Sequence, residues 1–87
     1  MTKKGYIFFL RKRGYNLTLQ RIILISYFYD NQNKMISTQT IINHLKKGKK
    51  NISFDTIYKN LILFADIGLL NYEKIEGQKF FYLRNKV

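Results

Sequence analysis

The sequence contains no cysteine, no proline and no tryptophan, and a single histidine, His44. Without cysteine there is no disulfide, no thiolate nucleophile and no cysteine-ligated metal, and the chain suits a reducing compartment. One imidazole without convergent partners does not make a metal site, so His44 reads as a surface or edge residue and no metal ligand is expected. No proline-rich, repeated or linker-like stretch divides the chain, which predicts one domain over residues 1–87. Long apolar runs are also missing. Nothing approaches the roughly 20 apolar residues of a membrane span. "KKGYIFFLRKR" has only five apolar residues in a row before three basic ones close it, too few for a signal peptide. A soluble cytoplasmic protein with no membrane partner is the expectation.

Acidic residues are scarce. Asp30, Asp55, Asp66, Glu73 and Glu76 are scattered among sixteen Lys and Arg, leaving a formal net charge of +11. No nucleophile–base pair and no phosphate-cradling glycine loop accompanies them, so an enzyme is not predicted. An excess this large suggests a polyanionic partner. The competing reading is a solubility device, for which a much smaller charge would suffice.

What is abundant is aromatic. Seven Tyr and seven Phe in 87 residues supply large side chains for a core that a short chain would otherwise leave thin. Tyr6 to Arg13 forms a helix candidate ended by Gly14. Thr18 is placed to cap a second helix, nearly all apolar from Ile22 to Tyr29 and so expected at the centre of the core. "DNQNK" (30–34) is a turn. Met35 and Ile36 suggest a short strand before Ser37 caps a third helix with Ile41, Ile42 and Leu45 on one face. "KKGKK" (46–50) follows as a basic loop, either a solvated turn or a segment close to a phosphate backbone.

Ser53 caps a fourth helix, with Asp55 at the positive end of its dipole and Gly68 at its end. Ile57, Leu61 and Phe64 form its apolar stripe. "LLNYEKI" and "KFFYL" read as two strands joined around Glu76, Gly77 and Gln78. The order is that of a winged helix-turn-helix, mainly α with a small antiparallel β-hairpin (α+β).

Opposite the stripe, the fourth helix is expected to show Thr56, Lys59, Asn60 and Leu63, with Tyr58 at the flank. These residue types suit a major groove. Lys59 reaches a guanine acceptor or a phosphate, Asn60 pairs with an adenine edge, and Thr56 or Tyr58 touches a thymine methyl. Ser53 and the free amides of the first turn hold a phosphate. Any surface helix has a polar side; the architecture and the net charge favour the groove reading. Lys74 and Lys79 flank the wing turn, where they can meet a sugar-phosphate or the minor groove.

"LRKRGYNLTLQRIIL", "MISTQTIINHL", "ISFDTIYKNLILFADIGLL" and "EGQKFFYL" together resemble the DNA-binding domain of the ferric uptake regulator (Fur) family. The resemblance rests on the G-x-x-x-T-x-x-R pattern at Gly14, Thr18 and Arg21, the helix opening at Ser37, T-[IV]-Y-[RK]-x-L at Thr56 to Leu61, and D-x-G-[LI] at Asp66 to Leu69. "ISFDTIY" leans towards the zinc-responsive branch. The resemblance implies sequence-specific binding of duplex DNA, usually as a repressor, with the recognition helix at about 53–67 and the wing at about 69–83. It puts base contact on Tyr58 and DNA contact on Lys59, and it brings Arg21 into the DNA-binding set. A lysine at 59 gives up the bidentate fork of the commoner arginine. Family members often carry a minor-groove lysine where this chain has Tyr15 and Asn16, and Arg11, Lys12 or Arg13 are its nearby substitutes.

The resemblance also implies a second, metal-sensing and dimerisation half that would begin near Val87. No cofactor is expected in this chain; zinc or iron would enter only with such a half. A homodimer therefore stays open, with "YIFFL" and "SYFYD" as either ordinary core or an exposed aromatic patch. An interaction module for a protein or structured RNA is the alternative function, the RNA case requiring Phe80, Phe81 and Tyr82 to be exposed.

Overall fold

A computed structural model of the chain describes residues 2–48 and 52–83. Four helices, α1 (Lys3–Lys12), α2 (Leu19–Asp30), α3 (Thr38–Lys47) and α4 (Phe54–Asp66), are joined by three strands, β1 (Ile36–Ser37), β2 (Leu70–Ile75) and β3 (Gln78–Leu83). This is the α+β winged helix-turn-helix that the sequence predicts. The hairpin, however, is part of a three-stranded antiparallel sheet of order β1-β3-β2. Ile36 pairs with Phe81 and Ser37 with Phe80, so the short strand before α3 is stitched to the wing.

Each helix starts on a hydroxyl cap. Thr2, Thr18, Ser37 and Ser53 accept the amides of Gly5, Arg21, Thr40 and Thr56, which satisfies donors that no helical carbonyl can reach. The Thr2 cap starts α1 three residues before the expected Tyr6. At the other end of α4, Gly68 takes φ +84°. That left-handed turn lets Leu69 N–H reach Phe64 C=O at 2.8 Å and Gly68 N–H reach Ala65 C=O at 3.1 Å, a pair of bonds that closes the helix and aims the chain into β2.

The core lies between the helices and one face of the sheet. Leu10, Leu24, Ile41, Leu61, Phe64 and Phe81 are wholly buried, and Ile25, Phe28, Ile57, Leu70 and Leu83 nearly so. Every α2 residue from Gln20 to Tyr29 is buried or half-buried, as its all-round apolar character requires. The two aromatic segments divide: Tyr6, Leu10 and Phe28 are core, whereas Phe8 projects from α1 with 61% of its surface exposed. Lys49 and Lys50 of the basic loop lie outside the described residues; Lys46 and Lys47 are exposed.

Candidate nucleic-acid interface

The register of the wing decides where its lysines point. Lys74 pairs with Lys79, two positions along from the Tyr72–Phe81 pair. Side chains two residues apart share a sheet face, and Phe81 is core. Lys74 and Lys79 therefore belong to the inner face of the wing, where it runs past the core and confronts the first turns of α3 and α4. Between them opens a cleft lined by Ser37, Gln39, Phe54, Tyr58, Lys74 and Lys79. Two like charges directly opposite each other on a hairpin cost stability, and the N-termini of α3 and α4 add their partial positive charge. The cleft is a positive concavity.

Tyr58 stands in its wall. Its hydroxyl accepts a hydrogen bond from Lys79 Nζ at 3.1 Å, and its ring stacks on Phe54 with centroids 6.1 Å apart and planes at 8°. Lys79 also lies 4.9 Å from the centre of the Tyr72 ring. The hydrogen bond to Tyr58 raises the Lys79 pKa above its ordinary 10.5, against a smaller opposing effect of desolvation. Lys59 is exposed and bridges back to Asp55 at 2.9 Å. An exposed i,i+4 pair of this kind costs little to release. Ser53 and Thr56 hold each other: Ser53 Oγ donates to Thr56 Oγ1 at 2.9 Å and accepts Thr56 N–H at 3.2 Å.

Asn60 corrects the expected polar face. It is buried, with 9% of its surface exposed, and both ends of its amide are occupied. Its Oδ1 accepts from Arg21 Nε at 2.9 Å and its Nδ2 donates to Thr56 C=O at 3.0 Å. The reason is angular: three residues from Ile57, position 60 lies only about 60° away from it around the helix, on the core side and not the wet side. Asn60 thus lies apart from the wet face on which the adenine contact is expected. Arg21 is drawn inward with it, its other guanidinium arm donating to Asn16 C=O at 2.9 Å. The expected set thus divides into Tyr58, Lys74 and Lys79 around the cleft, Lys59 on the open side of α4, Ser53 and Thr56 in the cap, and Arg21 with Asn60 behind the helix.

Phe54 was not among the expected site residues, yet it is 56% exposed at the mouth of the cleft. Its angle around α4 matches that of Leu61, seven residues on. It stands two turns nearer the N-terminus, where the helix has already left the core. That an apolar stripe outruns its core by a turn is the only trace such a residue leaves in sequence.

His44 packs its ring against Tyr27, centroids 4.5 Å apart. Among the described residues no group of three or more His, Cys, Asp or Glu side chains converges on a point that could hold a metal ion. No helix among them is long and apolar enough to cross a membrane.

A family model for the ferric uptake regulator family matches residues 12–87. The ferric uptake regulation protein of Staphylococcus epidermidis is 31% identical over 81 residues, covering 93% of this chain and 58% of that protein. Its Staphylococcus aureus counterpart is 31% identical over the same share of this chain and 59% of its own length. The chain thus spans a little under three-fifths of these relatives. Among solved structures, PerR from Streptococcus pyogenes, described as a peroxide sensor and gene regulator, superposes with a TM-score of 0.80 at 25% identity over 93% of this chain and 56% of that one. The Vibrio cholerae ferric uptake regulator gives 0.80 at 24% identity over 88% and 60%, a likeness of fold. Ferric and peroxide regulators both occur among the matches, which set a family and not a metal-specific branch. By motif, fold and family model alike, the chain belongs to the ferric uptake regulator family.

Proposed function

We propose that this chain is a sequence-specific duplex-DNA-binding module of a transcriptional regulator, acting as a repressor. In this reading α4 enters the major groove through Tyr58 and Lys59, and the β2–β3 wing rests on the backbone or in the minor groove through Lys74. One observation carries it: Tyr58 on α4 and the lysine pair on the wing face one positive cleft, as a protein that grips a phosphate-lined duplex needs. Membership of a family of DNA-binding transcription regulators supports the same reading. Ser53 and the first-turn amides of α4 are offered to a phosphate. Arg21 and Asn60 support the helix from behind. A structured-RNA module is less well served, because Phe81, the middle of its aromatic run, is wholly buried and no three-ring platform forms.

The test is affinity selection from a random duplex library at near-physiological salt. The reading predicts an enriched A·T-rich motif, whose symmetry tells whether one chain binds or a homodimer. Tyr58→Ala should then weaken the selected duplex more than a scrambled one. Retention without any motif, or a folded Tyr58→Ala variant that binds as the parent does, would sink the assignment.

A further inference from the structure

Lys79 does not sit where a simple phosphate contact would. Its ammonium is turned to Tyr58 Oη, 3.1 Å away, and is flanked by the face of Tyr72 at 4.9 Å, a favourable seat for a cation. Lys74 across the hairpin repels it in the same sense. An ammonium has three protons to give and no lone pair to receive one. The Tyr58 hydroxyl is therefore the acceptor in this bond, and its own proton points elsewhere. That hydroxyl makes no other hydrogen bond among the described residues. The stack on Phe54, with planes 8° apart, limits how the ring can turn to escape the arrangement. At neutral pH the Lys79 ammonium is charged, as an ordinary lysine is, so the donor is permanent there.

We propose that Lys79 is a positioning residue that sets the polarity of Tyr58: it holds the phenol oxygen as an acceptor, so that the phenolic proton is donated to an acceptor on a base edge. Purine N7, guanine O6 and thymine O4 are the acceptors of that class in a major groove. The wing lysine thus sharpens what the recognition helix reads, where a wing cation ordinarily adds only salt-dependent affinity. This inference rests on the DNA-reading function proposed above.

The experiment measures equilibrium binding of the parent chain, Lys79→Met, Lys79→Arg, Tyr58→Phe and the Lys79→Met/Tyr58→Phe double variant. Each is titrated with the selected duplex and a scrambled one across a salt series, with circular dichroism as the check on folding. Tyr58→Phe should lower the preference for the selected duplex about tenfold, the scale of one lost base contact. Lys79→Met should lower it by a similar factor and leave the salt slope within about half a unit of the parent's. The double variant should show no less preference than Tyr58→Phe alone, and Lys79→Arg, also a pure donor, should keep the parent's preference. Equal weakening of both duplexes by Lys79→Met, with the slope reduced by about one, would make Lys79 a phosphate contact and overturn the proposal. So would additive losses in the double variant. A parent chain with no preference would instead bring down the DNA-reading function itself, and this inference with it.

Discussion

Arg21 on α2 and Asn60 on α4 hold the two helices together through a hydrogen bond of 2.9 Å between Nε and Oδ1. The amide passes the contact on, since Asn60 Nδ2 bonds Thr56 C=O one turn earlier. Arg21 meanwhile ties back to Asn16 C=O and lies 5.9 Å from the Tyr15 ring. A polar network half shut from water fixes the angle at which the candidate recognition helix is presented. Loss of either partner leaves the other short of a bond in a place where water compensates poorly. Arg21→Ala and Asn60→Ala are each expected to lower unfolding free energy by about 1–3 kcal/mol. The double variant should fall short of their sum by about 1 kcal/mol, because the two lose one shared contact. Urea unfolding of the three variants tests this, and strict additivity would show that the contact contributes nothing.

Lys59 and Lys74 should part company as DNA ligands. Both are exposed, so neither alanine variant should shift stability beyond about 0.5 kcal/mol, and Lys74→Ala even relieves its repulsion with Lys79 across the hairpin. Lys59→Ala is expected to cost about 1 kcal/mol on the selected duplex, the low end for a base contact because a lysine lacks the bidentate fork, and clearly less on a scrambled one. Lys74→Ala should weaken both duplexes alike and reduce the salt slope by about 1. Fluorescence anisotropy over a salt series separates the two patterns. If Lys59→Ala instead behaves as Lys74→Ala does, α4 contributes charge through that position and no readout.

Local signals were the legible part of this fold. Thr18, Ser37 and Ser53 cap helices where their hydroxyls predict, and Gly68 ends α4, because caps and terminators act within a few residues. The family resemblance rests on such local patterns too. What stayed hidden depends on distant partners. The short strand before Ser37 is legible, but its pairing is not: Ile36 and Ser37 meet Phe81 and Phe80 across the sheet, and Asn60 is held by Arg21, 39 residues earlier. A helical projection by itself would have placed position 60 near the core. The residue's polarity argued the other way, and only the far side of the network reconciles the two. Lys79 is the same case within the site: its charge was visible, its bond to Tyr58 was not.

Alkaline pH should erode the fold from about 10 upward. Burial raises the pKa of Tyr27 above its ordinary 10.0, and burial followed by the neighbouring Tyr29 does the same for Tyr6. In that range the unfolded chain gives up these protons before the folded chain does, so it binds fewer of them and stability falls as pH rises. Lys79 has the same sign: its raised folded pKa means a contribution complete below about 10.5 and lost as pH climbs through the folded value. Tyr27→Phe keeps the ring on His44 and removes one of the titrating groups. Its unfolding free energy should drop less between about pH 8 and about pH 11 than the parent's. Identical drops would mean that Tyr27 titrates alike in both states.

The wing turn offers a gain. Ile75 pairs directly with Gln78, so the loop is two residues, Glu76 and Gly77, one shorter than the expected Glu76–Gly77–Gln78. Both take positive φ, +50° and +81°, the signature of the tight hairpin turn whose twist matches its strands. Gly77 adopts this freely. Glu76 does not: a side chain in the left-handed region costs about 1–2 kcal/mol, and asparagine tolerates it far better than glutamate. Glu76→Asn should therefore stabilise the protein by roughly 0.5–1 kcal/mol. Because the register from Lys74–Lys79 to Leu70–Leu83 is set by this turn, the same change should slow amide exchange along β2 and β3. Thermal unfolding with hydrogen exchange checks both expectations. A stable variant with unaltered exchange would place the gain elsewhere than in the wing, and a less stable one would show that the Glu76 side chain supplies something its backbone strain conceals.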